Sequence, residues 1–280
     1  MSQAYTAVKT IFAAALEASR RPGATFIPMA YSTLNEYFAV EHGTALPAGE
    51  QPEVQYLAIG RGGHQNVIGG NGDSLTDILQ HRINNARLFE HLPFVLRPVN
   101  ADLSAAERAK YRIRRLETYD GQQYFAYYLL KISTGSADAT AEMITIEAGE
   151  TTRTEYVPTA SQLSPTPVSM VNGVVNQATG QHIAVTTPFP IELTASDIAN
   201  ILEAANIIYS DSRYAVISEL GIVSGIDDTV TSTAGSVSVT YTEAKAAQIH
   251  THIATNIPLL QQQDGVTMNF RIGTSLPYLT

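Results

Sequence analysis

The segment Leu92 to Ile132, LPFVLRPVNADLSAAERAKYRIRRLETYDGQQYFAYYLLKI, constrains the fold more than any other stretch, because it is dense in local structural signals. Leu92 to Val99 alternates and ends around Pro98, as an edge strand does, since proline has no N–H for a ladder. Asp102 or Ser104 caps a short helix, and Glu107 is placed to complete a capping box. Tyr111 to Tyr119 reads as a strand. Asp120-Gly121 turns it into Gln122 to Ile132, an aromatic-rich return strand, through the strongest short hairpin signal a sequence offers. Four of the fourteen tyrosines lie in that return strand or just before the turn, so the strand is expected to pack hard. The segment is nearly empty of recognisable catalytic chemistry and points to a scaffold.

The rest of the chain is long enough, at 280 residues, for one large or two ordinary domains without covalent staples. It has no cysteine, which excludes disulfides, thiolate metal sites and cysteine nucleophiles. Charged residues make up 15% of the chain, well below the usual share of about 25%, and this suits a surface covered by neighbouring subunits. A net charge of -9 argues against a dedicated nucleic-acid binder, so no DNA contact is expected. The local exception is the basic run Arg108, Lys110, Arg112, Arg114 and Arg115. In a strand Arg112 and Arg114 share one face and Ile113 and Arg115 the other, which reads as a solvated or subunit-facing strip. No apolar run approaches the ~20 residues that span a bilayer, and the N-terminus lacks signal-peptide architecture, so the expectation is a soluble chain made in the cytosol, with no membrane partner.

Along the chain, Ser2 to Arg20 has amphipathic helical spacing and Pro22-Gly23 stops it. Thr33 to Val40 is a second short helix opened by a Thr33/Glu36 capping box. Val54 to Gly60 is a strand that runs into the glycine-rich loop GRGGHQNVIGGNGDS. Thr76 to His91 has mixed periodicity. Met143 to Glu147 and Thr151 to Val157 pair across Ala148-Gly149-Glu150, and Val168 to Val175 folds across Asn172-Gly173. Pro165 and Pro167 make Leu163 to Val168 a connector or arm. Thr194 and Asp197 open a helix with a stripe at Ile198, Ile201, Leu202, Ala205 and Ile208. Tyr214 to Val223 is a strand, Val230 to Tyr241 a hairpin around Ala234-Gly235, Thr242 to Asn256 a helix, and Val266 to Ile272 a strand ended by Gly273. The expected fold is α+β: a mostly antiparallel sheet with several helices in a main domain of residues 1–136 and 191–280. Residues 137–190 are expected to form a projecting β-rich hairpin or arm insertion.

Candidate chemistry is sparse. The glycine loop matches neither the phosphate-loop nor the dinucleotide pattern and reads as a flexible inter-subunit or surface loop. His250 and His252, the only closely spaced histidines, point about 200° apart on a helix and cannot share a metal there. Ser218-Glu219-Leu220-Gly221 is not a nucleophile elbow, and Asp227-Asp228 reads as a polar turn. No catalytic residue, metal or cofactor is assigned, and no enzymatic activity is expected.

The N-terminal Arg-Arg-Pro-Gly, the Gly60 to His64 loop, HRINNARLFEHLPFVLRPV, the Leu103 to Tyr111 helix, DGQQYFAYYLLKI and RYAVISELGIVSG together resemble virion structural proteins of contractile-tailed bacteriophages. The resemblance covers most of the chain and rests on overall texture. It implies a neck or collar component at the head-to-tail junction, assembling as a symmetric ring of copies of itself. Its other partners would be virion proteins such as portal, adaptor, tail terminator or sheath, and its location the virion. A tail-tube, baseplate or capsid-decorating protein of the same particle is the alternative, and a phage-encoded carbohydrate-binding module or enzyme a second one. The expected subunit contacts are Tyr124, Phe125, Tyr127 and Tyr128 as aromatic anchors, Arg112, Arg114 and Arg115 as their polar complements, and the Thr151 to Val175 ribbon with Val168 and Val174 as an arm.

Overall fold

The chain divides into two units, Met1–Ser133 with Leu193–Val266, and Thr134–Glu192 with Thr267–Thr280. The computed structural model describes residues 6–20, 25–40, 46, 49–132, 138–168, 170–172, 174, 175, 177–234 and 237–279. The fold is α+β, dominated by antiparallel strands, with four α-helices among the described residues, two of them single turns.

The first unit begins with β1 (Thr6–Lys9), α1 (Ile11–Ala18), α2 (Leu34–Tyr37), β2 (Glu53–Gly60), β3 (His64–Ile68) and β4 (Ser74–Ile78). It continues with β5 (His91–Leu92), β6 (Val95–Pro98), α3 (Ala105–Arg108), β7 (Arg114–Tyr119), β8 (Gln122–Tyr127) and β9 (Leu130–Lys131). The second unit takes in β10 (Thr140–Glu147), β11 (Glu150–Glu155), β12 (Met170–Val171), β13 (Val174–Val175) and most of β14 (Gln177–Thr194). The chain re-enters the first unit through α4 (Ala195–Tyr209), β15 (Val216–Ala234) and β16 (Val237–Pro258), and ends in β17 (Gly265–Leu279).

In the first unit the sheet order is β1-β16-β15-β2, and β5 and β9 share the free edge of β2. The segment Leu92 to Ile132 is therefore an excursion that leaves this sheet at β5 and rejoins it at β9. Between those points it builds its own three-stranded sheet, β6-β8-β7, in which β6 is the expected edge strand. The return strand is not continuous to Ile132; it breaks after Tyr127 into β8 and β9. Buried Leu34, Phe38, Tyr56, Leu88, Leu96, Ile113, Tyr128, Leu129, Val223 and Ile249 form one core cluster. Burying apolar surface at about 25 cal/mol per Å² makes such a cluster the main stabilising term.

Thr242 to Asn256 is not a helix. The whole stretch lies in β16, a 22-residue strand paired antiparallel to the 19-residue β15. Its Ala, Glu, Lys and Gln content favours a helix locally, but β16 is flanked by β1 and β15 and is buried almost continuously from Ala246 to Thr255. Tertiary burial overrides intrinsic propensity there. A bulge hides the alternation as well: the register skips between Ser224/Gln248 and Ile226/Lys245, where buried Ala246 takes φ 49°. The buried Asn35 side chain of α2 closes this gap. Its Nδ2 donates to Ala244 O at 2.6 Å and its Oδ1 accepts from Ala247 N at 2.9 Å, as a short strand would.

Other expectations change in the same way. Of the Ser2 to Arg20 helix, residues 2–5 and Pro22-Gly23 lie outside the described residues, and Thr6 to Lys9 is a strand on Thr251 to Ala254. Thr10 divides strand from helix: its Oγ1 accepts from Ala13 N, as an N-cap, and donates to Ile249 O at 2.6 Å. The final strand runs on through Gly273, where a Cβ would collide with the Val185 carbonyl; β17 there is the neighbour of β14, so its outer residues belong to the second unit. Likewise β14 passes through Pro188 and Pro190, beyond the residues that pair with β10. The second unit's sheet has the order β11-β10-β14-β17.

Candidate assembly surface

The aromatic and basic side chains of Leu92 to Ile132 turn inward. Asp102 collects them: its Oδ1 accepts from Tyr127 Oη at 2.6 Å, and its Oδ2 meets Arg114 at 2.8 Å and Arg108 at 3.1 Å. Tyr127 is 1% exposed and its hydroxyl is held above its ordinary pKa by burial and by Asp102. Buried Tyr128 donates to Glu117 at 2.7 Å, and Tyr119 donates to the same carboxylate. The Arg114 guanidinium lies 3.5 Å over the half-buried Phe125 ring. Buried Arg112 makes a two-point pair with Asp227, Nε to Oδ1 at 2.7 Å and Nη2 to Oδ2 at 3.1 Å. Arg112, Arg114, Tyr127 and Tyr128, expected as subunit contacts, are thus engaged in cross-links within the chain. Tyr124 and Phe125 are half-buried, and Arg115 is the outward member of the set, with 43% of its side chain exposed.

Asp227 and Asp228 are not a turn but positions inside β15. Asp227 also accepts from Tyr56 at 2.7 Å and Lys131 at 2.9 Å, and Asp228 pairs with Lys245 at 2.6 Å. Burial works to raise the Asp227 carboxyl, but the bonds from Arg112, Tyr56 and Lys131 outweigh it and bring it down to about 2.

The glycine loop is tied down just as firmly. Glu219, 0% exposed in β15, accepts four bonds: from Gly62 N (2.9 Å), Glu90 N (2.9 Å), Phe89 N (2.8 Å) and His81 Nε2 (2.7 Å). A buried carboxylate needs such a full set of donors. The His81 ring is stacked between Phe89 at 3.9 Å and His252 at 3.8 Å. The glycines allow the loop to approach: a Cβ on Gly60 would sit 2.6 Å from Glu219 Oε1, and one on Gly63 2.5 Å from Ser218 O. In the expected inter-subunit or surface loop, Gly60 to Gly63 form a clasp on β15, and the remainder is the largely exposed hairpin β3–β4 with its tight turn at Asn71-Gly72. On strand β16 the two-residue spacing no longer separates His250 and His252 by a helical rotation. Burial lowers both imidazoles to about 4.

The second unit has a different surface. Every residue of edge strand β11 is exposed, on both faces. From Val157 to Met170 the chain exposes Val157, Leu163, Val168 and Met170, with Leu163 at 87%. At the end of β17, Leu276 and Leu279 are exposed too. Against these, the buried apolar side chains of the unit among the described residues are Ile144, Ala184, Phe189, Ile191 and Met268. Val174 is paired with Val171 through its backbone, but its side chain and Gly173 lie outside the described residues.

The family of unknown function DUF7208 matches residues 1–280. The chain belongs to that family. No curated protein and no solved structure matches it.

For this member of DUF7208 the residues that sequence reasoning missed are Glu219 and Asn35. The signal for Glu219 was present: a lone carboxylate in the apolar run AVISELGIV must find donors if that run is buried. Asn35 had no comparable signal, because its role depends on a bulge two hundred residues away in sequence.

Proposed function

We propose that the chain is a virion structural protein of a contractile-tailed bacteriophage, a neck or collar component that works by assembly into a ring. The observation that carries this reading is the second unit, where a wholly exposed edge strand, and exposed Val157, Leu163, Val168 and Met170 on the chain that follows it, go with few buried apolar residues among those described. Exposed apolar surface of this kind is normally covered by a partner, and a free strand edge is a template for a neighbouring sheet. In this reading residues 137–190 are the assembly arm, and copies pair head to tail so that the rotation closes. Permanent contacts of that type bury above about 2,000 Å². The low charge density and the internal use of Arg112, Arg114, Tyr127 and Tyr128 support placing the contact on the second unit and on Arg115, Val168 and their surroundings.

The test is electron microscopy of the purified chain, alone and with head-completion proteins, together with mass spectrometry of purified particles. Rings or stoichiometric incorporation are expected. A chain that stays monomeric with every virion partner, and is missing from purified particles, sinks the proposal.

A further inference from the structure

A cleft of about 400 Å³ in the first unit is lined by Tyr31, Thr33, Glu36, Tyr37, Asn84, Asn85, Ala86 and Arg87. That volume is within the range of about 300–1,000 Å³ seen for small-molecule sites. We propose that this cleft binds a carboxylate-bearing sugar residue, with Arg87 on the carboxylate, Tyr31 against the ring and Glu36, Asn84 and Asn85 on the hydroxyls. The inference is independent of the assembly reading, since it uses no residue of the second unit.

Arg87 is the first support. Its Nη1 donates to the carbonyls of Leu88 (3.1 Å) and Phe89 (3.0 Å), and its guanidinium lies 4.8 Å over the Tyr37 ring. The group is oriented, yet among the described residues no carboxylate lies within ion-pair distance of it, whereas Arg61, Arg97, Arg108, Arg112 and Arg114 all have one. A fixed, unpaired guanidinium fork matches a planar carboxylate.

The opposite wall supplies acceptors. Glu36 closes the capping box of α2 and takes bonds from Thr33, Ser32 and Tyr31 N–H groups. Burial raises its carboxyl, but those bonds outweigh it and hold it below its ordinary value. Oε1 accepts only from Tyr31 N at 3.1 Å, which leaves lone-pair capacity for a donor. Hydroxyl donors, a carboxylate and an apolar C–H face occur together in acidic sugars.

Tyr31 provides the platform. It is 90% exposed and holds φ 59°, a left-handed conformation that a bulky aromatic residue rarely adopts. Strain held at a cleft rim is a recurrent mark of a binding site.

The test uses the full chain, saturation-transfer NMR and calorimetry, with the methyl glycosides of glucuronic, galacturonic and N-acetylneuraminic acid as probes and methyl glucoside as the neutral control. At least one acidic probe is expected to bind roughly tenfold more tightly than the neutral one. Arg87→Gln should abolish the difference with the thermal melt unchanged. Should that variant unfold, Asn84→Asp, at an exposed position, adds a competing carboxylate and should weaken the acidic probes more than the neutral one, narrowing the difference. No saturation transfer from any probe, equal affinity for acidic and neutral sugars, or acidic binding that survives the folded variants overturns the proposal.

Discussion

The two units differ in what they bury. In the first, charged side chains are drawn inside and answered there: Glu219 by four donors, Asp227 by Arg112, Tyr56 and Lys131, Asp102 by Tyr127, Arg108 and Arg114. In the second, edge strand β11 is exposed throughout and few apolar side chains are buried among the described residues, whereas large exposed apolar side chains occur in both units, Ile27 at 77% and Ile68 at 76% in the first and Leu163 at 87% in the second. Carboxylates answered in this way favour a unique packed state. An exposed edge strand leaves surface for another chain. Within Leu92 to Ile132, Arg112, Arg114, Tyr127 and Tyr128 are engaged by the fold of the chain, while Arg115 stays outward.

Substitutions can break the comparison in the first unit. Glu219→Ala removes the shared acceptor of three part-buried backbone N–H groups and of the buried His81 ring, and should cost about 3–5 kcal/mol in urea unfolding. A cost below about 1 kcal/mol would mean that water enters this region and that the clasp is loose. Asn35→Ala removes both bonds at the β16 bulge and is expected to cost about 3 kcal/mol. Hydrogen exchange should then accelerate first at Ala247.

A smaller effect concerns pH. Buried Glu243 has its carboxyl raised by desolvation to about 7, from 4.5. A folded value above the unfolded one gives stability that is full below 4.5 and lost as pH rises through about 7. Glu243→Gln should therefore flatten that slope and raise stability at pH 8 by about 1–2 kcal/mol, read from denaturant midpoints across the range. His91, His250 and His252, lowered by burial, act with the opposite sign: their contribution is present above 6.5 and lost as pH falls towards their folded values. The smallest change in folding stability is expected in the second unit. Leu163→Ser with Met170→Ser should alter stability by less than about 0.5 kcal/mol, because both side chains are exposed, while the proposed assembly into rings should be lost. Unfolding of that variant would show these residues to be core and would erase the contrast between the units.

Much of the local structure was legible in the sequence. The boxes Thr33/Glu36, Ser104/Glu107 and Thr194/Asp197 all cap helices where their spacing placed them. The turns at Asp120-Gly121 and Ala148-Gly149 have positive φ at both residues, as their hairpins require. These signals depend on neighbours within four residues. The candidate surface was less legible. Arg112, Arg114, Tyr127 and Tyr128 were visible as a group, but not their pairing: Asp102 and Glu117 lie within the same segment and are brought to them by its folding, and Asp227, the partner of Arg112, comes from a distant strand.

What the sequence determined by itself was a set of short-range choices: the turns at Asp120-Gly121 and Ala148-Gly149, the capping boxes that open three of the helices, and that the chain would be an antiparallel α+β protein. Only the tertiary structure decided which way the side chains of Leu92 to Ile132 face and that Thr242 to Asn256 is a strand. The physical reason is the same in both cases. A buried position between β1 and β15 rewards a strand whatever the local propensity, and a buried charge is admitted only where a partner from elsewhere in the chain meets it.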